Sequence, residues 1–124
     1  LLEDRILIRP NELRPLKTSS SERSIPIHPR LKSLAVELRE KEGLLWPAQY
    51  QESNQRWGVN LSKPCRKIVG ITPKGFRDRA ATVLRSNNMN EAVVVALLGH
   101  TPNSISMSYG AVPWNELKRA VKLL

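Results

Sequence analysis

The sequence predicts an α+β fold, a small antiparallel β-sheet at the N-terminal end followed by a mostly helical body, as one domain over residues 1–124. Three observations carry this. Short runs rich in β-branched residues, at 5–8 and 23–27, flank the turn-forming Thr18-Ser19-Ser20-Ser21. Thr72-Pro73 and Thr101-Pro102 each place a hydroxyl cap before a proline, a pattern that opens helices. Apolar residues in the second half recur at helical spacing.

Arg5-Ile6-Leu7-Ile8 reads as a short buried strand ending at Pro10. Residues 12–17 read as a second, more exposed strand, with Lys17 at the mouth of the turn and the third strand at Arg23-Ser24-Ile25-Pro26-Ile27. A helix follows Pro29, with Leu31, Leu34, Ala35 and Leu38 on one face, and stops near Gly43. Residues 47–60 have no clear period and read as a loop. A helix runs from Leu61 or Ser62 to about Val69, with Pro64 tolerated in its first turn. The helix after Thr72 carries Phe76, Ala80, Val83 and Leu84 on its buried side and ends near Asn87-Asn88. Asn90 caps the next, whose run from Ala92 to Leu98 is almost wholly apolar and therefore buried; Gly99 supplies its left-handed end. A short helix from Thr101 to about Tyr109 follows. The last opens at Pro113 with Trp114, Leu117, Val121 and Leu124 on one stripe. The sheet region is thus 1–28, the helical body 29–112 and the terminal helix 113–124.

The net charge of +9 is unevenly placed. Residues 1–60 carry ten Lys/Arg against eight Asp/Glu, and residues 61–124 carry ten against three. Such a field attracts a polyanion, and Lys63, Arg66, Lys67 and Arg79 are the candidate DNA contacts. No apolar run reaches the length of a membrane span and no signal peptide is visible. Cys65 stands alone, which excludes a disulfide framework; the natural compartment is a reducing cytoplasm. No acidic cluster offers a magnesium site, so the expectation is no metal and no cofactor.

Arg77, His100 and Tyr109 stand at intervals of 23 and 9 residues. A phenol can attack a phosphodiester and conserve its energy as a phosphotyrosine. Charge on the five-coordinate phosphorus calls for a guanidinium fork, and a histidine adds a hydrogen bond. The departing 5′-oxygen needs a proton, which a hairpin lysine can deliver. Those roles fall to Tyr109 as nucleophile, Arg77 as phosphate clamp, His100 as transition-state hydrogen-bond donor and Lys17 as general acid. Taken singly, each also has an ordinary reading: a solvated arginine, a helix-capping histidine, a core tyrosine, a turn lysine.

The conjunction resembles the tyrosine recombinase (phage integrase) catalytic domain, over essentially the whole chain. The family pattern of His-x-x-Arg, Leu-Gly-His and a tyrosine about nine residues on is matched by Lys74-Gly75-Phe76-Arg77, Leu98-Gly99-His100 and Tyr109. LKTSSSERSIPIHP resembles the family's β-hairpin. The resemblance implies site-specific DNA recombination through a covalent 3′-phosphotyrosine. The actor would be a bacterial, nucleoid-associated enzyme of a prophage or other mobile element, on double-stranded DNA and beside other integrase protomers. Lys74 stands where the family has its first histidine, which keeps a cation but not a ready proton acceptor. The family's first catalytic arginine lies on a helix upstream of the hairpin. Arg5, Arg9 and Arg14 lie in or beside predicted strands and do not fill that place. The expectation is therefore the C-terminal portion of an integrase catalytic domain, truncated at its N-terminus and weak or inactive alone. The stripe of 113–124 suits either packing on a neighbouring protomer or folding back on its own domain. Two alternatives share the basic surface: a type IB topoisomerase-like enzyme and a non-catalytic DNA-binding module.

Overall fold

The structure, a computed structural model, describes residues 1–11, 16, 21–43, 45–51, 53, 56–58, 60–100 and 111–124. It is α+β, with two two-stranded antiparallel sheets and five α-helices among the described residues. Strand β1 (Arg5–Ile8) pairs with β2 (Arg23–Pro26) in the register Arg5 to Pro26 and Ile8 to Arg23. The strand expected over 12–17 falls, but for Leu16, outside the described residues. β1 is half exposed rather than buried, with Ile6 at 36% and Leu7 at 39%. Among the described residues it pairs only with β2, and a two-stranded ribbon covers little of its own surface.

A single 3₁₀ turn at Pro29–Leu31, capped by the Nδ1 of His28, leads into α1 (Lys32–Arg39). α1 ends well before Gly43. It has no side-chain cap and buries only Ala35, so little holds further turns, and Leu31 and Leu34 stay exposed. Residues 47–60 are not a plain loop. A 3₁₀ turn at Pro47–Gln49 leads into a miniature hairpin, β3 (Tyr50–Gln51) against β4 (Arg56–Trp57). Strands of two residues are too short to show alternation, which is why no period marks them.

Helix α2 (Ser62–Val69) ends at left-handed Gly70, and α3 (Pro73–Ser86) begins three residues later. Thr72 caps α3, its hydroxyl accepting from the Gly75 N–H at 3.3 Å. Asn90 caps α4 (Glu91–Leu98), its side-chain oxygen accepting from the Ala92 N–H at 2.9 Å. Gly99 ends α4 at φ +64°, its N–H donating to the Val95 carbonyl. The last helix, α5 (Trp114–Val121), is entered through Pro113.

The core is built around α4, which packs on α3, α5 and β2. Leu84 of α3 and Val94 of α4 are fully enclosed, and Leu117, Ala120 and Val121 of α5 complete the cluster. The stripe of α5 therefore folds back on its own domain, while Leu124 is left outside it. On α3 the buried side differs from expectation: Ala81 and Leu84 are buried, but Phe76 is 47% exposed. Only the C-terminal half of α3 meets the core, and the half bearing Phe76 projects past it. Arg5 joins the two ends of the fold. Its guanidinium lies 4.3 Å from the centre of the Trp114 ring and pairs with Asp4 at 2.7 Å. Among the described residues no helix is long and apolar enough to cross a membrane.

Candidate active site

The projecting start of α3 and the end of α4 meet to form the site. Proline at the first position of α3 and the hydroxyl cap fix where the helix starts, which sets Lys74 and Arg77 one turn apart on the same side. Gly99 stops α4 sharply, so His100 leaves a rigid element in a defined direction. The result is one contact between residues 23 apart: the Arg77 Nε donates to the His100 Nε2 at 3.2 Å. An accepting Nε2 carries no proton, so this bond assigns the neutral ring its proton on Nδ1. Among the described residues the Arg77 Nη groups and the His100 Nδ1–H meet no further protein partner, so a ligand can reach them. Both side chains are exposed to solvent.

Lys74 lines the same cleft as Arg77, but its Nζ is paired with Asp78 Oδ2 at 2.8 Å, one helical turn on. Its charge is thus partly met within α3. Arg85 is likewise bound by Glu91, through bonds of 3.0 and 2.6 Å. Those bonds hold the Glu91 carboxyl below its ordinary value, with His100 pulling weakly in the same direction.

One site residue escaped the sequence reading. Arg23, on β2, donates from Nε to the Leu97 carbonyl at 2.9 Å and from Nη1 to the Ser21 carbonyl at 2.8 Å. Burial pushes its guanidinium below the ordinary arginine value, and the nearby Arg77 charge pushes the same way. A signal was present: Arg23 and Ile25 lie two apart on a strand, so they share a face, and Ile25 packs on the core. A charged residue on a core-facing row needs partners.

The cleft between Arg23, Lys74 and Arg77 has a volume of about 460 Å³, with Leu84, Leu97 and Leu98 behind it. Lys63, Arg66 and Lys67 form an exposed basic row on one face of α2. Arg79 is exposed as well, but two residues beyond Arg77 it lies about 200° round the helix and faces another direction. Lys17 and Tyr109, and with them the short helix expected from Thr101, lie outside the described residues. Among the described residues no three His, Cys, Asp or Glu side chains gather as metal ligands. No family model, no curated protein and no solved structure matches the chain.

Proposed function

We propose that the chain is the C-terminal portion of a tyrosine recombinase (integrase) catalytic domain that breaks and rejoins DNA through a phosphotyrosine. The observation that carries the reading is the Arg77–His100 hydrogen bond. Two residues singled out for one phosphate, far apart in sequence, touch at 3.2 Å beside a basic cleft. The ordinary readings of a solvated arginine and a capping histidine do not call for this contact.

In this reading the Tyr109 oxygen attacks the scissile phosphorus and the bond to the 5′-oxygen breaks. Lys17 protonates that oxygen as it leaves. Arg77, through its Nη groups, and His100, through Nδ1–H, hold the non-bridging oxygens while negative charge accumulates. Rejoining runs the steps backwards, with a free 5′-hydroxyl attacking the phosphotyrosine. The phenol's own proton needs an acceptor. Lys74, tied to Asp78, serves only if it sheds its proton, so water or Asp78 is the simpler recipient. The basic row of α2 tracks the flanking phosphates. Other protomers join on the DNA in the cytoplasm, through surfaces other than the buried side of α5, which the domain uses for its own core.

The test is covalent capture on nicked, end-labelled duplexes, in which the cut fragment diffuses away and even slow cleavage accumulates. A protein–DNA band on a denaturing gel that disappears in Tyr109→Phe is the expected result. Arg77→Ala should lower the capture rate about 100- to 1000-fold, as for loss of one transition-state donor. Binding of duplex with no band, even when the chain is joined to an upstream helix bearing the family's first arginine, would overturn the reading in favour of a non-catalytic DNA-binding module. Relaxation of supercoiled plasmid at no preferred sequence would favour the topoisomerase-like alternative.

A further inference from the structure

We propose that Arg23 is a positioning residue, buckling β2 to the C-terminal end of α4 and thereby fixing the Arg77–His100 pair; its catalytic meaning rests on the recombinase reading above. The final carbonyls of a helix such as α4 have no partner within it and carry the negative end of its dipole. The Val95 carbonyl is met by the N–H groups of Gly99 and His100. The Leu97 carbonyl is met by Arg23, a cation from a strand 74 residues earlier. The second bond, to Ser21, anchors the same guanidinium to the segment entering β2. One planar group therefore ties strand to helix terminus, three residues before His100.

The backbone shows how close this fit is. A Cβ built on Gly99 would lie 2.7 Å from the Arg23 Cζ and 3.0 Å from its Nε, so the guanidinium occupies the space a side chain would need. The turn that aims His100 is thus packed directly against Arg23.

Arg23 has two of its five N–H groups committed to carbonyls, one of them the single N–H of Nε, so a phosphate fork through Nε is closed to it. Its place beside Arg77 adds like charge that a bound phosphodiester would offset. The half-buried cation is tolerated because carbonyl oxygens hold it, and those carbonyls belong to the elements that must be held in register.

The experiment compares wild type, Arg23→Ala and Arg23→Lys. Long-range nitrogen–proton NMR spectra of the imidazoles are recorded for all three proteins in one buffer at pH ~8. In wild type His100 should show a protonated Nδ1 and an unprotonated Nε2. Lysine keeps the charge but cannot serve two divergent carbonyls with one planar group, so in Arg23→Lys both His100 nitrogens should move toward averaged values. His28, whose Nδ1 accepts from the Arg30 N–H at 3.1 Å, is the internal control and should not move. In covalent capture Arg23→Lys should be slower by roughly 10- to 100-fold, with duplex affinity within about twofold of wild type, as expected when a reacting group is misplaced. An unchanged His100 ring in folded Arg23→Lys overturns the proposal, and so does a shift shared equally by His28. Should Arg23→Ala not fold, the lysine variant still decides. Absence of capture, even with the upstream helix that bears the family's first arginine supplied, would sink the recombinase reading alone, since the ring spectra judge Arg23 without it.

Discussion

Gly99 and Gly70 each end a helix in the left-handed conformation, at φ +64° and +74°, but only Gly99 lies under another residue. Alanine at either position carries the backbone cost of placing a Cβ in that region, about 1–2 kcal/mol. At Gly70 nothing lies within 4 Å of the new methyl, so that cost is the whole effect. At Gly99 the methyl would displace the Arg23 guanidinium, whose bond to the Leu97 carbonyl is 2.9 Å long. Losing a hydrogen bond to a charged group adds about 1.5–3 kcal/mol. Gly99→Ala should therefore cost about 2.5–5 kcal/mol and Gly70→Ala about 1–2 kcal/mol. Urea unfolding in one buffer reads both, provided the slopes agree. In an Arg23→Ala background, Gly99→Ala should cost no more than Gly70→Ala. Equal destabilisation of the two single variants, within ~0.5 kcal/mol, would refute the close packing of Arg23 over the α4 terminus.

Three further outcomes are expected. Leu84→Ala should cost about 2–5 kcal/mol by emptying a fully enclosed position. Phe76→Ala, at a residue 47% exposed, should cost much less, and comparable losses in urea melts would mean that α3 packs along its whole length. Glu91 titrates below its unfolded value because Arg85 binds the ionised form. Its stabilising contribution is therefore complete above the unfolded carboxyl value and fades as pH falls through the lower folded one. The stability gap between wild type and Glu91→Gln should be constant near neutrality and narrow in acid; a gap that does not narrow as pH falls would contradict the pairing. Removing Lys63 or Lys67 should weaken duplex binding regardless of sequence and reduce the log–log salt slope by about 0.9 for each phosphate no longer neutralised. An unchanged slope would take α2 out of the interface.

The helical half of the fold was legible because its boundaries are written in local chemistry. Thr72, Asn90 and Gly99 act where their residue types say they should. The N-terminal half was less so. β1 and β2 pair directly, a long-range choice that no local pattern encodes, and the β3–β4 hairpin is too short to have a pattern. Phe76 was misplaced because helical spacing sorts residues by angle, not by how far along its axis a helix meets its neighbours. Of the site, Arg77, His100 and Lys74 were visible as spaced residue types, yet the pairing of Lys74 with Asp78 formed no part of that pattern. Arg23 was missed because its partners are main-chain carbonyls, which look alike at every position.

The closure of the core by α5 has a consequence for synthesis. Ala120 and Val121 are made after α3 and α4, yet they are buried in the same core. While the ribosome still covers them, α3 and α4 have been translated but their apolar face has no lid. The core thus closes only once α5 has left the exit tunnel, and until then the apolar face of α4 is open to chaperones, to proteases and to copies of itself on neighbouring ribosomes.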